Sequence, residues 1–477
     1  AFVRFDCVAL ALGGMERFVD ATVAGADALG FVRGGPDFDI ERGPPIILTH
    51  ANWLVATGGP DEALKVLDSL PDLAYSMLSK RTSCAILTTK GSALRQLSRA
   101  REAVDCHRQA LRLLQEVPGQ PGNPNADLDL EDEIIHGHQE LGKSLWRMAV
   151  ATHDFQWGRG GPTEEAVRCF RKAHEMWGVR GKRAQPMQSL YEDLGTILGK
   201  LNRNREAADV WRDMLELCKQ HISKCSCALA QTTLSASHLV HQLHLAGDND
   251  AVSETLNDAY ALLRDAAERF DLDSSDVLFR LAEDLTQRTC INHAFHCWYE
   301  AIDDAVETHG SHSLKVATIM FGAGFTVEEA MQDDEDETAS SRILYLVRAA
   351  VKILQRLDPL REVEDRIGKL MLPVQTVFQL EMTALEMKGR LECRMGFHNA
   401  AIKSFRSALA IVTENLGDQH CEFLRAVFFM HLAKSYLALE RPRAALKAMD
   451  DCFVALRRVP YNVAALHGRR GISGDGE

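Results

Sequence analysis

The sequence predicts an all-α solenoid of about nine helix hairpins. Three observations predict it. A helix-pair pattern recurs about every forty residues, clearest as Tyr191-x-x-Leu194-Gly195-x-x-Leu198 followed by Ala207, Trp211 and Met214. The runs between breakers are long and rich in Ala, Leu, Glu, Arg and Lys, and only 14 prolines interrupt 477 residues. No series of β-branched residues alternates with polar ones as a half-buried strand requires.

Residues 1–45 form an N-terminal segment. A helix is expected around Phe5–Leu29, stopped by Gly34-Gly35-Pro36 and by Gly43-Pro44-Pro45. Hairpins are expected over 46–458. Their register is set by one small residue in each second helix: Ala63, Ala103, Ala166, Ala207, Val252, Ala294, a position near Arg342, Ala401 and Ala445. Clean steps are 40 (Ala63 to Ala103), 41 (Ala166 to Ala207), 42 (Val252 to Ala294) and 44 (Ala401 to Ala445). Longer steps, from Ala103 to Ala166 and from near Arg342 to Ala401, mark insertions or stretched helices; insertions stand near 118–135 and 331–340, where Pro/Gly and acidic runs (Asp127–Glu133, Asp333–Glu337) read as solvated loops and a helix start. The small residue lets two antiparallel helices approach closely. One turn later stands a large residue, such as Phe170, Trp211, Trp298 or Phe405, expected to fill the gap to the neighbouring unit. Gly58, Gly247 and Gly396 suit the helix C-termini between paired helices. The tail, 459–477, is Gly-rich and expected to be flexible.

The spacing resembles the tetratricopeptide repeat over residues 46–458. The linkers Glu414-Asn-Leu-Gly-Asp-Gln-His420 and His309-Gly-Ser-His312 resemble those of the longer, kinesin light chain type, with Cys421 and Ser313 where that type often has proline. The resemblance implies a right-handed superhelix whose first helices line a concave wall. By that register the inward residues are Arg95, Lys143, Arg147, Lys200, His241, His244, Glu283, Arg390, Arg394 and Lys434. Most are cationic, which predicts a positive groove for an acidic or carboxylate-terminated peptide. The inward asparagines of a chaperone-binding carboxylate clamp are absent at the matching positions.

The formal charge of −13 weighs against nucleic acid as the main partner. No run approaches the roughly 20 apolar residues that span a bilayer. The 12 cysteines are scattered, and Cys106, Cys169 and Cys452 fall inside second helices. They read as free thiols in the cytoplasm or another reducing compartment. Gly137-His-Gln-Glu-Leu-Gly142-Lys143-Ser144 matches the P-loop pattern, but an acidic run precedes it instead of a buried strand, so a helix is expected there. Cys218, His221, Cys225 and Cys227 crowd too few residues to wrap one zinc ion. His238, His241 and His244 drift by about 60° per step and read as a polar helix face. No serine elbow, dinucleotide turn or carboxylate pair stands in a recognisable setting. No catalytic residue, metal or cofactor is therefore expected. The expected function is a scaffold or adaptor for a protein or peptide partner. A permanent subunit of a large assembly is the alternative, and a nucleotide-dependent regulator a third.

Overall fold

A computed structural model describes residues 43–69, 78–117, 124–153, 160–180, 188–222, 227–331, 337–357, 374–415 and 418–459. They form eighteen α-helices and no strand. In chain order these are α1 (Gly43–Ala56), α2 (Pro60–Leu67), α3 (Lys80–Gln96), α4 (Ala100–Gln115), α5 (Pro124–Ala151) and α6 (Pro162–Arg180). Next come α7 (Gln188–Lys200), α8 (Asn204–His221), α9 (Cys227–Leu245), α10 (Asn249–Arg269), α11 (Ser274–Gln287) and α12 (Ile291–His309). The last are α13 (Leu314–Ala330), α14 (Glu337–Leu354), α15 (Val374–Arg394), α16 (His398–Asn415), α17 (Asp418–Ala438) and α18 (Pro442–Arg458). Taken in order they make nine hairpins, odd-numbered helix first. The chain divides into two compact units, Ala1–Met214 and Leu215–Glu477. Most of the expected N-terminal segment, the expected tail beyond Val459 and the cores of both insertions lie outside the described residues.

The small residue that sets the register is buried in every hairpin where it was assigned clearly, from Ala63 to Ala445. The large residue four positions on is buried too, but mainly against its own hairpin. A Cβ on Gly142 would stand 2.8 Å from the Phe170 ring. On Gly195 it would meet Trp211 at 2.5 Å, and on Gly389 Phe405 at 2.6 Å. His107 takes the same place over Gly91. Four first helices thus carry a glycine notch that seats the large side chain of the paired helix. The expected contact with the neighbouring unit is secondary: the Phe405 ring also stacks on His431 of α17, with centroids 4.9 Å apart.

One register assignment is corrected. Arg342 is exposed, and its guanidinium lies 5.4 Å from the centre of the Phe295 ring. The register residue of α14 is buried Ile343, four before Val347, which lies over the notch at Gly324. Gly43-Pro44-Pro45, expected as a breaker, opens α1 instead. Proline is tolerated in a first turn because the amides there have no intrahelical acceptor.

The turns share one geometry. Gly58, Gly247 and Gly396 have φ of +82°, +77° and +78°, as expected for helix C-termini. Each stands five residues before its register residue. Ser98, Asn202, Thr289 and Glu440 occupy the same position with φ between +54° and +60°. Four hairpins therefore hold a non-glycine residue left-handed. Caps begin several helices: Ser79, Asp248, Asp273 and Ser313 each accept a hydrogen bond from a first-turn amide.

Candidate functional site

Three cavities lie in creases between successive first helices, two in the first unit and one in the second. The first, about 450 Å³, is lined by Leu48 and Asn52 of α1, Cys84, Ala85 and Thr88 of α3, and Glu133 and His136 of α5. The second, about 550 Å³, is lined by Arg95 of α3, Lys143, Trp146, Arg147 and Val150 of α5, Phe170 of α6, and Glu192, Asp193, Thr196, Ile197 and Lys200 of α7. The third, about 580 Å³, lies between α9 and α11 and is lined by Thr233, Asp273, Asp276, Arg280, Glu283 and Asp284 among others.

The second cavity gathers four of the ten residues expected to face inward: Arg95, Lys143, Arg147 and Lys200. Two of them are committed elsewhere. Arg95 Nη1 lies 2.7 Å from Glu140 Oε2, and Lys143 Nζ lies 3.2 Å from Glu140 Oε1 and 3.3 Å from Asp193 Oδ2. Ser92 Oγ donates to the same Glu140 at 3.0 Å, and Gln139 Nε2 donates to Asp193 at 3.0 Å. Glu140 is buried. Burial alone would raise its carboxyl, but Arg95 and Lys143 overcome that and hold it at about 2. Arg147 and Lys200 are exposed and have no ion-pair partner among the described residues. The cavity therefore offers two free cations beside an apolar wall of Trp146, Val150, Phe170 and Ile197.

The remaining six residues do not join that site. Arg390 and Arg394 both reach buried Glu328 of α13, at 3.1 and 3.5 Å. Nearby, Arg348 pairs with buried Glu392 at 3.0 Å, and Ser404 Oγ donates to Glu392 at 2.8 Å. Lys434 is exposed on α17, one turn after His431. Burial, aided by Arg390 and Lys434, pushes the His431 imidazole down to about 4, so its 4.0 Å approach to Glu386 is no ion pair near neutrality. His241 and His244 meet the start of α12: His241 Nδ1 is 3.5 Å from Cys290 Sγ, and His244 packs edge-on against His293. His238 is half-buried, and burial drives it down to about 3. His238 and His241 are thus packed at this junction, while His244 keeps an exposed, polar edge of the helix face. Glu283 lies in the third cavity among Asp273, Asp276 and Asp284 with Arg280, a mainly acidic setting where a cationic one was expected; burial, with Asp284 beside it, raises its carboxyl against the pull of Arg280.

The P-loop match lies wholly inside α5. Its glycines serve packing, Gly142 as the notch for Phe170 and Gly137 against Leu111. A continuous helix has its amides bonded to its own carbonyls and cannot cradle a phosphate there. Cys218 is buried beside Ser235; the side chains of His221, Cys225 and Cys227 lie outside the described residues. Among the described residues eight cysteines are free thiols, Cys106, Cys169 and Cys452 among them. Burial raises the thiols of Cys106, Cys169 and Cys452, Cys169 to about 12. Among the described residues no helix is long and apolar enough to cross a membrane.

The sequence reading missed Glu140 and Glu328, the buried counter-charges of the expected cationic groove, and Glu392, which pairs with Arg348. A signal existed. Each follows a first-helix glycine by three or four residues (Gly137, Gly324 and Gly389), which places it on the packed face. Trp146 and Asp193 were missed as lining residues as well.

No protein-family model matches the chain, and no curated protein matches it. Among solved structures it is similar to BtubC (BKLC) from P. vanneervenii, at 16% identity and a TM-score of 0.30, over 57% of this chain and 95% of that one. It is similar to the apo form of RapI at 8% identity and a TM-score of 0.37, over 87% of this chain and 98% of that one. A circular tandem repeat protein with a novel repeat topology aligns at 12% identity and a TM-score of 0.32, over 98% of this chain and 100% of that one. These superpositions are loose. The all-α helical-repeat fold rests on the chain's own hairpins, notches and turns.

Proposed function

We propose that this chain is a non-catalytic scaffold of the longer, kinesin light chain-like repeat type, and that it binds an acidic peptide segment in the crease between α3, α5 and α7. One observation carries the reading: Arg147 and Lys200 stand unpaired at a 550 Å³ cavity whose wall is Trp146, Val150, Phe170 and Ile197. A carboxylate could take a bidentate grip from Arg147 and a point contact from Lys200, while an adjoining apolar side chain lies on the aromatic wall. Arg95 and Lys143 support the site from behind, held in place by Glu140. Their role is positional, because their charge is already balanced.

The test is Arg147→Glu with Lys200→Glu in the full chain, read by affinity purification from a reducing extract with mass spectrometry and by anisotropy with a Glu-rich, Leu-containing synthetic peptide. Loss of acidic partners and at least about a tenfold weaker peptide affinity are expected. Unchanged recovery and affinity would overturn the reading. Both residues are exposed, so the fold should survive.

A second reading, permanent membership of a larger assembly, is favoured by exposed Leu245, Phe325, Tyr345 and Phe397. The isolated chain would then aggregate on size exclusion, whereas a regulated adaptor would run as a discrete species. The free thiols fit a reducing compartment such as the cytoplasm in either case.

A further inference from the structure

The repeat register exposes an anomaly at the last described hairpin. The residue just after the register position is buried in seven hairpins, as Leu64, Val104, Val167, Ala208, Phe295, Leu344 and Ile402. The residue eleven past it is buried as Leu114, Cys218, Leu263, Ala305 and Val412. In α18 the same two positions are Leu446 and Leu456, and they are 66% and 43% exposed. Phe453, on the stripe between them, is 55% exposed. On α17, Leu437 and Met430 are exposed as well.

The neighbouring hairpin shows what this face is built to hold. On α16 the equivalent surface meets the first helix of the next hairpin: Phe405 stacks on His431, and Arg406 Nη2 donates to the Tyr436 hydroxyl at 2.6 Å. The face is thus shaped for an amphipathic helix. Leu446, Met449, Phe453 and Leu456 follow the alternating three- and four-residue spacing that a helix partner requires. The rim selects the partner's charge. At 100° per residue, Arg443, Lys447 and Arg457 flank the stripe, against Asp450 alone. None of these three cations is ion-paired among the described residues. The patch is basic in a chain whose formal charge is −13.

We infer that the open face of the α17–α18 hairpin docks an amphipathic helix with acidic flanks, supplied by another protein. The basic rim favours an acidic partner over the chain's own C-terminal segment, in which Arg469 and Arg470 offset Asp475 and Glu477 and leave no net negative charge. This site lies in the second unit and does not depend on the cavity of the first.

The test uses the full chain and a fluorescent synthetic helix of about 18 residues, with leucines at the same spacing and glutamates on both flanks. A twin with lysine flanks is the control. The glutamate peptide should bind at least about tenfold more tightly than its twin, and less tightly as salt is raised. Leu446→Glu with Phe453→Glu should lower its affinity by about tenfold or more with an unchanged helical circular dichroism spectrum. Arg443→Glu with Arg457→Glu should reverse the preference between the twins. Equal binding of the twins, or indifference to either double variant, would overturn the inference. So would a concentration-dependent dimer abolished by Leu446→Glu with Phe453→Glu, which would assign the face to a second copy. A gain of more than about tenfold in peptide affinity on ending the chain at Val459 would assign it to the chain's own tail.

Discussion

Replacing Glu140 by glutamine isolates the charge at the centre of the first unit. The carboxyl sits at about 2 where an ordinary glutamate has 4.5. That difference corresponds to about 3 kcal/mol of folding stability. The folded value is depressed, so the contribution is present above the unfolded value of 4.5 and is lost as the pH falls toward 2. Glutamine keeps an oxygen for Ser92 and Arg95 and is easier to bury, which recovers part of the loss. Arg95 and Lys143 keep some contact with water, which softens the penalty of leaving them unpaired. The expected net cost is about 2 kcal/mol at pH 7, fading toward zero near pH 2. Urea unfolding followed by circular dichroism at a series of pH values measures it. Amide exchange along α5 tests that the loss is local, since stacked hairpins open in part as well as globally. Equal stability of variant and parent at pH 7 would refute the reasoning. So would a gap that stays constant into acid, because it would show a packing defect instead of a lost charge.

His107 fills the notch over Gly91 where its counterparts are Phe170 and Phe405, and neither of its ring nitrogens finds a hydrogen-bond partner. Burial pushes it from 6.5 to about 4, so the parent loses stability as the pH falls from 6.5 toward 4, and His107→Phe should be more stable by about 2 kcal/mol at pH 5 with a smaller gain at pH 7; equal unfolding midpoints at pH 5 would contradict this. Thr289 is β-branched and held at φ +60°, so Thr289→Gly should raise stability by about 1 kcal/mol, read as a higher melting temperature, with the reciprocal Gly247→Thr lowering it.

Much of this architecture was legible because hairpin packing repeats its chemistry. A small residue at 63, 103, 207 or 401 marks where two helices touch, and touching leaves little freedom of residue type. The notches were half visible: Gly195 and Gly389 stood in the pattern, yet only the coordinates show Trp211 and Phe405 seated over them. Register failed near Arg342, where α14 is buried on several sides and no single small residue stands out. The candidate site was legible in its cations and illegible in its balance. Arg95 and Lys143 look alike whether they face solvent or a buried carboxylate, and Glu140 reads as an ordinary helix-surface acid unless its phase to Gly137 is followed. The same blindness put Glu283 among cations, though it lies with three aspartates. A left-handed threonine or glutamate gave no compositional warning, although the five-residue offset from the register position locates it once the glycines at 58, 247 and 396 are aligned.

The three cavities have one further consequence. Each is walled by two or more successive first helices, so it is the property of a seam and of no single hairpin. Deleting one hairpin would erase the pocket on either side of it and fuse two strangers into a new one. Duplicating one would copy a complete recognition surface only where both of its walls were copied. Changes in the number of modules would therefore rewrite specificity in whole steps, whereas point substitutions along a seam would adjust it by degrees.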